Sequence, residues 1–249
     1  MKFLHYTIAL LYWLNAANVH ADEVSVAVAA NFLAPMKAIA TEFEKDTRHH
    51  LLLSAASSGK LFVQIQNGAP FQVLLSADSE IPARLEQEGL AVAGSRFTYA
   101  TGALVLWSVN PALVDSKGTV LSKNSFAKLA IADPKLAPYG KAAMETLTAM
   151  GRLDAVRGKF VSGENIGQTY QFVASGNADL GFVALSQVMK DGRIGSGSAW
   201  LVPESLHTPL RQDAVILTPG KHSEAARLFM NYLKGSKARE IMKSYGYRF

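Results

Sequence analysis

The hydrophobic pattern in the first third of the chain switches repeatedly between strand-like and helix-like segments. Valines at alternate positions over residues 24–28 predict a β-strand. Apolar residues then recur at helical spacing over residues 32–43. Two short apolar runs follow, at 51–53 and 71–76, with a helical segment between them. This β-α-β-α-β order predicts a mostly parallel sheet covered by helices on both faces.

The same alternation restarts after Gly102. It predicts strands at 103–109, 129–132, 180–184, 200–202 and 214–217, and helices at 141–150, 168–174, 223–233 and 236–245. We therefore predict an α/β protein of two lobes, each with a mostly parallel sheet. Residues 22–102 and 218–249 form lobe I and residues 103–217 form lobe II. The chain is expected to cross near Gly102 and to return near Thr218.

The N-terminal segment has the pattern of a cleavable secretory signal. Lys2 precedes an apolar run over residues 3–14, and Val19-His20-Ala21 places small residues at the −3 and −1 positions of a cleavage site. We expect residues 1–21 to be removed on export, and the mature protein to be periplasmic. Neither Ala21 nor Asp22 is a cysteine, which argues against a lipoprotein anchor.

The amino-acid composition argues against several classes of function. The chain has 25 Lys and Arg against 20 Asp and Glu, a formal charge of +5, but no basic cluster interleaved with aromatic residues. Nucleic acid is therefore not an expected partner. The absence of cysteine excludes disulfides, thiol nucleophiles and cysteine-based metal sites.

Four predicted strand-to-helix junctions are rich in small and polar residues, and they lie at 29–32, 56–60, 138–140 and 164–167. Open α/β sheets bind ligands at the carboxyl ends of their strands. The free N–H groups and the dipole of a helix start favour an anion there. Asn31, Ser58 and Tyr139 would add uncharged donors. Such donors suit a fully deprotonated oxyanion, which can only accept hydrogen bonds.

Competing catalytic motifs are incomplete. The segment around Gly59 evokes a phosphate-binding loop, but Leu61 stands where Ser or Thr must hold magnesium. The histidines show no spacing of metal ligands. Asp78, Glu80 and Asp133 are predicted to cap helices and turns rather than to form a catalytic pair. No nucleophile elbow follows a strand. We therefore do not expect an enzyme.

Several motifs, in this order and spacing, resemble the periplasmic molybdate-binding proteins of ABC transporters, and the resemblance covers essentially all of the predicted mature chain. The matching stretches are 26–32 (VAVAANF), 57–61 (SSGKL), 68–70 (GAP), 74–78 (LLSAD), 132–134 (ADP), 138–140 (PYG), 164–166 (ENI) and 179–183 (DLGFV).

The resemblance implies a type II periplasmic-binding-protein fold, the two-lobed Venus flytrap, with the ion held between the lobes. Carried over residue by residue, the oxyanion contacts are Asn31 and Ser58 in the first lobe. In the second lobe they are Tyr139 and the backbone N–H of Ile166. Some members instead have alanine at the position of Tyr139 and a donor tyrosine at the position of Ala184, so this chain resembles the branch with its tyrosine in the Pro-Tyr-Gly loop.

The function implied by the resemblance is capture of molybdate, and with it tungstate, for delivery to a membrane permease and its cytoplasmic ATPase. The protein would act as a monomer without a cofactor, and molybdenum would be bound as the oxyanion rather than through direct metal ligands. A binding protein for sulfate or phosphate remains an alternative, because the dimensions of the cleft do not follow from the sequence. A secreted hydrolase lacks its catalytic residues, and the effector domain of a transcription regulator lacks a DNA-binding segment.

Overall fold

The computed structural model describes residues 22–249, and the predicted signal peptide lies outside them. Strands β1–β12 are Glu23–Ala29, His50–Ala56, Val73–Leu75, Phe97–Thr101, Leu104–Ser108, Leu129–Ala132, Phe160–Gly163, Leu180–Ala184, Met189–Lys190, Arg193–Ile194, Ser198–Leu201 and Arg211–Ile216. Helices α1–α10 are Leu33–Thr47, Ser58–Gln66, Glu80–Gln87, Val120–Lys123, Pro138–Ala149, Leu153–Val156, Ile166–Ala174, Leu185–Val188, Glu224–Lys234 and Ser236–Ser244. A short 3₁₀ turn, Ala30–Phe32, leads from β1 into α1.

Two five-stranded sheets form the two lobes that the pattern predicts. Their strand orders are β2-β1-β3-β12-β4 in lobe I and β11-β5-β8-β6-β7 in lobe II. Parallel ladders join β2, β1 and β3 in one sheet, and β8, β6 and β7 in the other. In these two sheets, only β12 and β5 are antiparallel to both of their neighbours. Four of the five strands in each sheet therefore point the same way, but two of the four pairings in each sheet are antiparallel, so both sheets are mixed.

Helices cover both faces of each sheet because the strands are apolar on both faces. Alternate residues of β1 pack in two separate cores: Val26 lies with α1, α9 and α10, and Ala27 lies with α2 and α3. In lobe II, Leu106 faces the core beside α5 and Val105 faces the core beside α7. Each fully buried Val or Leu side chain contributes about 1.5–3 kcal/mol relative to exposure. The two faces together hold each sheet in the interior of its lobe.

The chain crosses between the lobes twice, and the second crossing lies earlier than predicted. Gly102 joins β4 of lobe I directly to β5 of lobe II. The return lies between Leu201 and Arg211, because β12 already pairs with β3 and β4. The predicted return near Thr218 is therefore wrong. The apolar run of β12 has the same pattern in either sheet, so its partner was not evident from periodicity.

The two crossings are hydrogen bonded to each other. The N–H of Gly102 donates to the carbonyl of Leu210 at 2.9 Å. The C-terminal segment joins them, since Thr101 and Arg248 form an isolated bridge. These contacts lie at one side of the interface between the lobes. Among residues 22–249, no helix has the length and apolar character to span a bilayer.

Candidate functional site

All four sequence-predicted site residues line one small cavity between the lobes. Its walls come from the ends of β1 and β3 and from the starts of α2, α5 and α7. The cavity has a volume of about 10 Å³, about the space of one water molecule. Its lining residues are Ala29, Ala30, Asn31, Ser57, Ser58, Ala77, Ala137, Pro138, Tyr139 and Ile166.

Two adjacent serines at the start of α2 bring hydroxyls into this cavity. The Oγ of Ser58 accepts a hydrogen bond from the N–H of Ala77 at 2.9 Å, which leaves its own hydrogen free to donate. Ser57 occupies the N-cap position but makes no side-chain capping bond. Its Oγ is buried and has no hydrogen-bond partner among residues 22–249. Buried polar groups are rarely unpaired, so this hydroxyl is a strong indicator of a ligand contact.

The start of α7 brings backbone donors to the opposite wall. Asn165 caps the helix, because its Oδ1 accepts from the N–H of Gln168 at 3.0 Å. Its carbonyl accepts from the N–H of Thr169 at 3.1 Å. Ile166 is the first residue of the helix, where N–H groups lack intrahelical acceptors. The partial positive charge of the helix dipole lies at the same point. Ile166 therefore fits the predicted role of backbone donor.

Tyr139, the second residue of α5, is held against the crossing between the lobes. Its hydroxyl accepts a hydrogen bond from Nε2 of Gln212 at 3.0 Å. A Cβ on Gly102 would lie 2.1 Å from this hydroxyl and 2.4 Å from that nitrogen. Only glycine therefore allows the crossing strand to pass so close. The tyrosine lies on lobe II and Gln212 lies on β12 of lobe I.

Asn31 is buried in a polar network rather than projecting freely into the cavity. Its Nδ2 donates to Oε1 of Gln212 and to the hydroxyl of Tyr247, both at 2.9 Å. Its carbonyl accepts from Ser186 at 2.8 Å and from Tyr247 at 3.1 Å. The amide nitrogen has two hydrogens, and both are used within the protein. Donation from Asn31 to an ion therefore requires that one of these bonds is exchanged.

The tyrosines of the network stay protonated over the physiological range. Burial raises the pKa of Tyr99 and of Tyr139 well above the ordinary value of 10.0. Burial also raises the pKa of Tyr247 to about 12. Each hydroxyl is therefore an uncharged group that can donate one hydrogen. The site contains no phenolate that would repel an anion.

Uncharged groups form the entire lining of the cavity. None of its ten residues carries a charged side chain. A larger groove of about 200 Å³ adjoins it at Ala77, Ala137 and Pro138, and this groove includes Asp78 and Lys141. The neutral cavity fits the predicted oxyanion chemistry, whereas the groove mixes both signs of charge. Among residues 22–249, no group of three His, Asp or Glu side chains is placed to hold a metal.

Direct contacts across the cleft place the two lobes in a closed arrangement. The N–H of Gly59 on lobe I donates to the carbonyl of Leu136 on lobe II at 2.9 Å. Lys60 and Glu164 form an ion pair at 3.2 Å across the same opening. Both of these side chains are largely exposed, so the pair contributes at most about 1 kcal/mol. Asn31, Ser58, Tyr139 and Ile166 are each at most 3% exposed, so the cavity has little access to solvent in this arrangement.

Sequence reasoning did not select four residues that the structure places in or beside the site. Ser57 was part of a junction already noted, and its position at a helix start was the available signal. Gln212 lies in the polar first half of β12, between Arg211 and Asp213, so the apolar pattern of the strand did not distinguish it. Ser186 and Tyr247 carried no such signal, because they join the site only through contacts distant in sequence.

Comparison with known proteins identifies the family of this chain. The profile described as "Bacterial extracellular solute-binding protein" matches residues 24–248. The chain belongs to this family. The match begins three residues after the end of the predicted signal peptide and covers both lobes of the solute-binding protein.

Its relatives include two proteins that share one name. The solute-binding protein is 57% identical over 240 residues to the molybdate-binding protein ModA of Azotobacter vinelandii, covering 96% of this chain and 95% of that one. It is 49% identical to ModA of Rhodobacter capsulatus, covering 91% and 88%. A solved structure titled the Azotobacter vinelandii periplasmic molybdate-binding protein matches with a TM-score of 0.88 at 43% identity, covering 91% and 99%. The resemblance inferred from the motifs is confirmed.

Proposed function

We propose that this solute-binding protein captures molybdate, and also tungstate, between its lobes for an ABC importer. One observation carries the proposal: helix starts from both lobes converge on one buried cavity lined only by uncharged groups. The names of the similar proteins support molybdate as the ion. We propose a binding role rather than catalysis, with no cofactor.

The donor set has a chemical basis for selecting a deprotonated ion. Ser57, Ser58, Tyr139 and the N–H of Ile166 can each point a hydrogen at the cavity, and Asn31 can do so by exchange within its network. A molybdate ion accepts hydrogen bonds at all four oxygens. A protonated anion would bring a hydrogen that only a hydroxyl oxygen could accept, and that hydroxyl would then no longer donate to the same oxygen of the ion. The site is therefore expected to prefer ions that are fully deprotonated at neutral pH.

Delivery is proposed to depend on closure of the lobes around the ion. Asn31 and Ser58 lie on lobe I, and Tyr139 and Ile166 lie on lobe II, so one small ion contacts both lobes only when they are closed. The ion then favours the closed state by its differential affinity for that state. A periplasmic monomer, exported by residues 1–21, would present this closed shape to the permease.

Calorimetric titration of the mature protein, residues 22–249, with molybdate, tungstate, sulfate and phosphate tests the ligand. We expect one ion per protein for molybdate and tungstate. Ligand at a hundred times its dissociation constant adds about 2.7 kcal/mol of stability, which a thermal melt detects. A melt that responds to sulfate and not to molybdate or tungstate would overturn the assignment of the ion.

Distance measurement between two spin labels tests closure. The chain has no cysteine, so Lys60→Cys with Glu164→Cys gives labels at two known positions on either side of the opening. We expect one short distance with saturating molybdate and a longer, broader distribution without it. Lys37→Cys with Gln66→Cys, both within lobe I, is the control pair and should not change. Equal distributions with and without the ion for the first pair would refute closure.

A further inference from the structure

Gln212 is a buried polar side chain whose burial is explained by its hydrogen bonds at the binding site rather than by packing. It lies on β12 with no exposed surface, between Arg211 and Asp213. The pairing of β12 with β4 shifts register between Gln212 and Asp213. Such bulges re-aim side chains and are common beside functional sites. Burial of an amide is unfavourable unless its hydrogen bonds are satisfied, and here they are.

The Gln212 amide joins the two lobes through both of its ends. Its Oε1 accepts from Nδ2 of Asn31 and from the hydroxyl of Tyr99, both at 2.9 Å. Its Nε2 donates to the hydroxyl of Tyr139 at 3.0 Å. The oxygen therefore holds a lobe I residue of the cavity, and the nitrogen holds a lobe II residue of the same cavity.

The direction of the bond to Tyr139 matters for the ion. A phenol has one hydrogen and can also accept. Because the oxygen of Tyr139 accepts from Gln212, its hydrogen does not point to that amide and is left for the ion or for the neighbouring Tyr247 hydroxyl. A side chain that accepted from Tyr139 instead would take this hydrogen away from the ion. Charge-assisted donation to an anion is stronger than donation to a neutral group, so the free hydrogen has a consequence for affinity.

We infer that Gln212 is a positioning residue for oxyanion binding, which fixes the Tyr139 hydroxyl as a donor to the ion and does so across the closed cleft. The inference rests on the proposed function, since it assumes that Tyr139 contacts the ion. It assigns to β12 a role in the site that does not involve contact with the ion. The bond joins lobe I to lobe II beside the crossing at Gly102.

A double-mutant cycle between Gln212 and Tyr139 tests this inference. The parent, Gln212→Met, Tyr139→Phe and the double variant are titrated with molybdate. Methionine keeps the approximate volume and removes both hydrogen-bonding ends. We expect Gln212→Met to weaken binding about tenfold in the parent and less than about twofold in the Tyr139→Phe background. Thr146→Val removes another buried hydroxyl from α5, outside the network, and should change affinity less than about twofold.

Two results would overturn the inference. One is an equal loss of affinity from Gln212→Met in both backgrounds, and the other is no loss in the parent. If Gln212→Met does not fold, Gln212→Asn enters the same cycle, because the shorter amide stays polar but loses reach to Tyr139. The parent is titrated first with molybdate, tungstate and sulfate. Failure to bind molybdate overturns the proposed function, and the cycle is then run with the ion that binds; binding of none overturns both proposals.

Discussion

Replacement of Ser57 by alanine should stabilise the ligand-free protein while weakening its binding of the ion. Ser57 is 4% exposed, and its buried hydroxyl has no partner among residues 22–249. A buried hydroxyl without a hydrogen bond costs about 1–3 kcal/mol in protein substitutions. Ser57→Ala removes that cost in the closed arrangement, so the free energy of unfolding without ligand should rise by up to about 1–3 kcal/mol, and by less in proportion to the opening of the ligand-free lobes, which hydrates the hydroxyl. Loss of one hydrogen bond to a charged ligand costs about 1.5–3 kcal/mol, or roughly 10- to 150-fold in affinity.

The neighbouring serine is a matched control with the opposite effect on stability. The Ser58 Oγ accepts from the N–H of Ala77 at 2.9 Å. Ser58→Ala leaves that buried N–H without a partner, which should lower the free energy of unfolding by about 1–3 kcal/mol. Both variants should bind molybdate more weakly than the parent. Two adjacent Ser→Ala changes are therefore expected to differ in sign for stability and to agree in sign for binding.

Urea unfolding of the ligand-free variants measures the first quantity, and calorimetric titration with molybdate measures the second. The slope of unfolding free energy against urea must be equal for the three proteins for the comparison to hold. A Ser57→Ala protein that is less stable than the parent without ligand would show that the hydroxyl is satisfied in the folded state. A Ser57→Ala protein with the affinity of the parent would remove Ser57 from the site.

Three other predictions follow from the same network and its surroundings. Tyr139→Phe should weaken molybdate binding roughly 10- to 150-fold, because one hydrogen bond to the ion is lost. It should also lower the free energy of unfolding by about 1–3 kcal/mol, because Nε2 of Gln212 loses its acceptor. Calorimetric titration and urea unfolding measure the two effects, and an unchanged affinity would contradict the role of Tyr139 as a donor to the ion. Gly102→Ala should destabilise the parent by about 1–3 kcal/mol through overpacking against the Tyr139 hydroxyl and Nε2 of Gln212. The loss should be smaller in the Tyr139→Phe background, where one of these contacts is gone, and a Gly102→Ala protein as stable as the parent would refute the steric argument. Burial raises the pKa of Asp78 from 3.8 to about 6, so the carboxyl stays protonated to a higher pH in the folded state than in the unfolded state. The free energy of unfolding therefore falls by at most about 3 kcal/mol as pH rises from about 4 to about 6. Asp78→Asn should remove that loss, and an unchanged dependence of unfolding on pH would contradict it.

Much of the local structure follows from short-range pattern. Ser223 was predicted to cap a helix, and its Oγ accepts from the N–H of Ala226 at 3.1 Å at the start of α9. The predicted helix at 168–174 also exists, and it begins two residues earlier at Ile166. Alternation of apolar residues and capping side chains act over a few positions, so the sequence determines them locally. The strands Phe97–Thr101 and Phe160–Gly163 were not predicted, because their apolar pattern is short and interrupted by polar residues.

Tertiary contacts decided the partner of β12, and with it the second crossing between the lobes. An apolar strand can pair with any open edge or neighbour of matching length, so its periodicity does not select a sheet. The structure places β12 between β3 and β4, which brings Gln212 beside the first crossing at Gly102. The predicted boundary near Thr218 failed for this reason, although the prediction of two lobes is confirmed.

The sequence alone determined the two α/β lobes and the four anion-favouring helix starts, because both depend on residues within one turn or one strand of each other. Only the tertiary structure decided how those helix starts are held. Asn31 bonds to Gln212, 181 positions away, and to Tyr247, 216 positions away. No local pattern encodes such pairs, since each forms only after the sheets have assembled and the C-terminal segment has packed between the lobes. The donors of the site were therefore evident in the sequence, and their orientation was set by the fold.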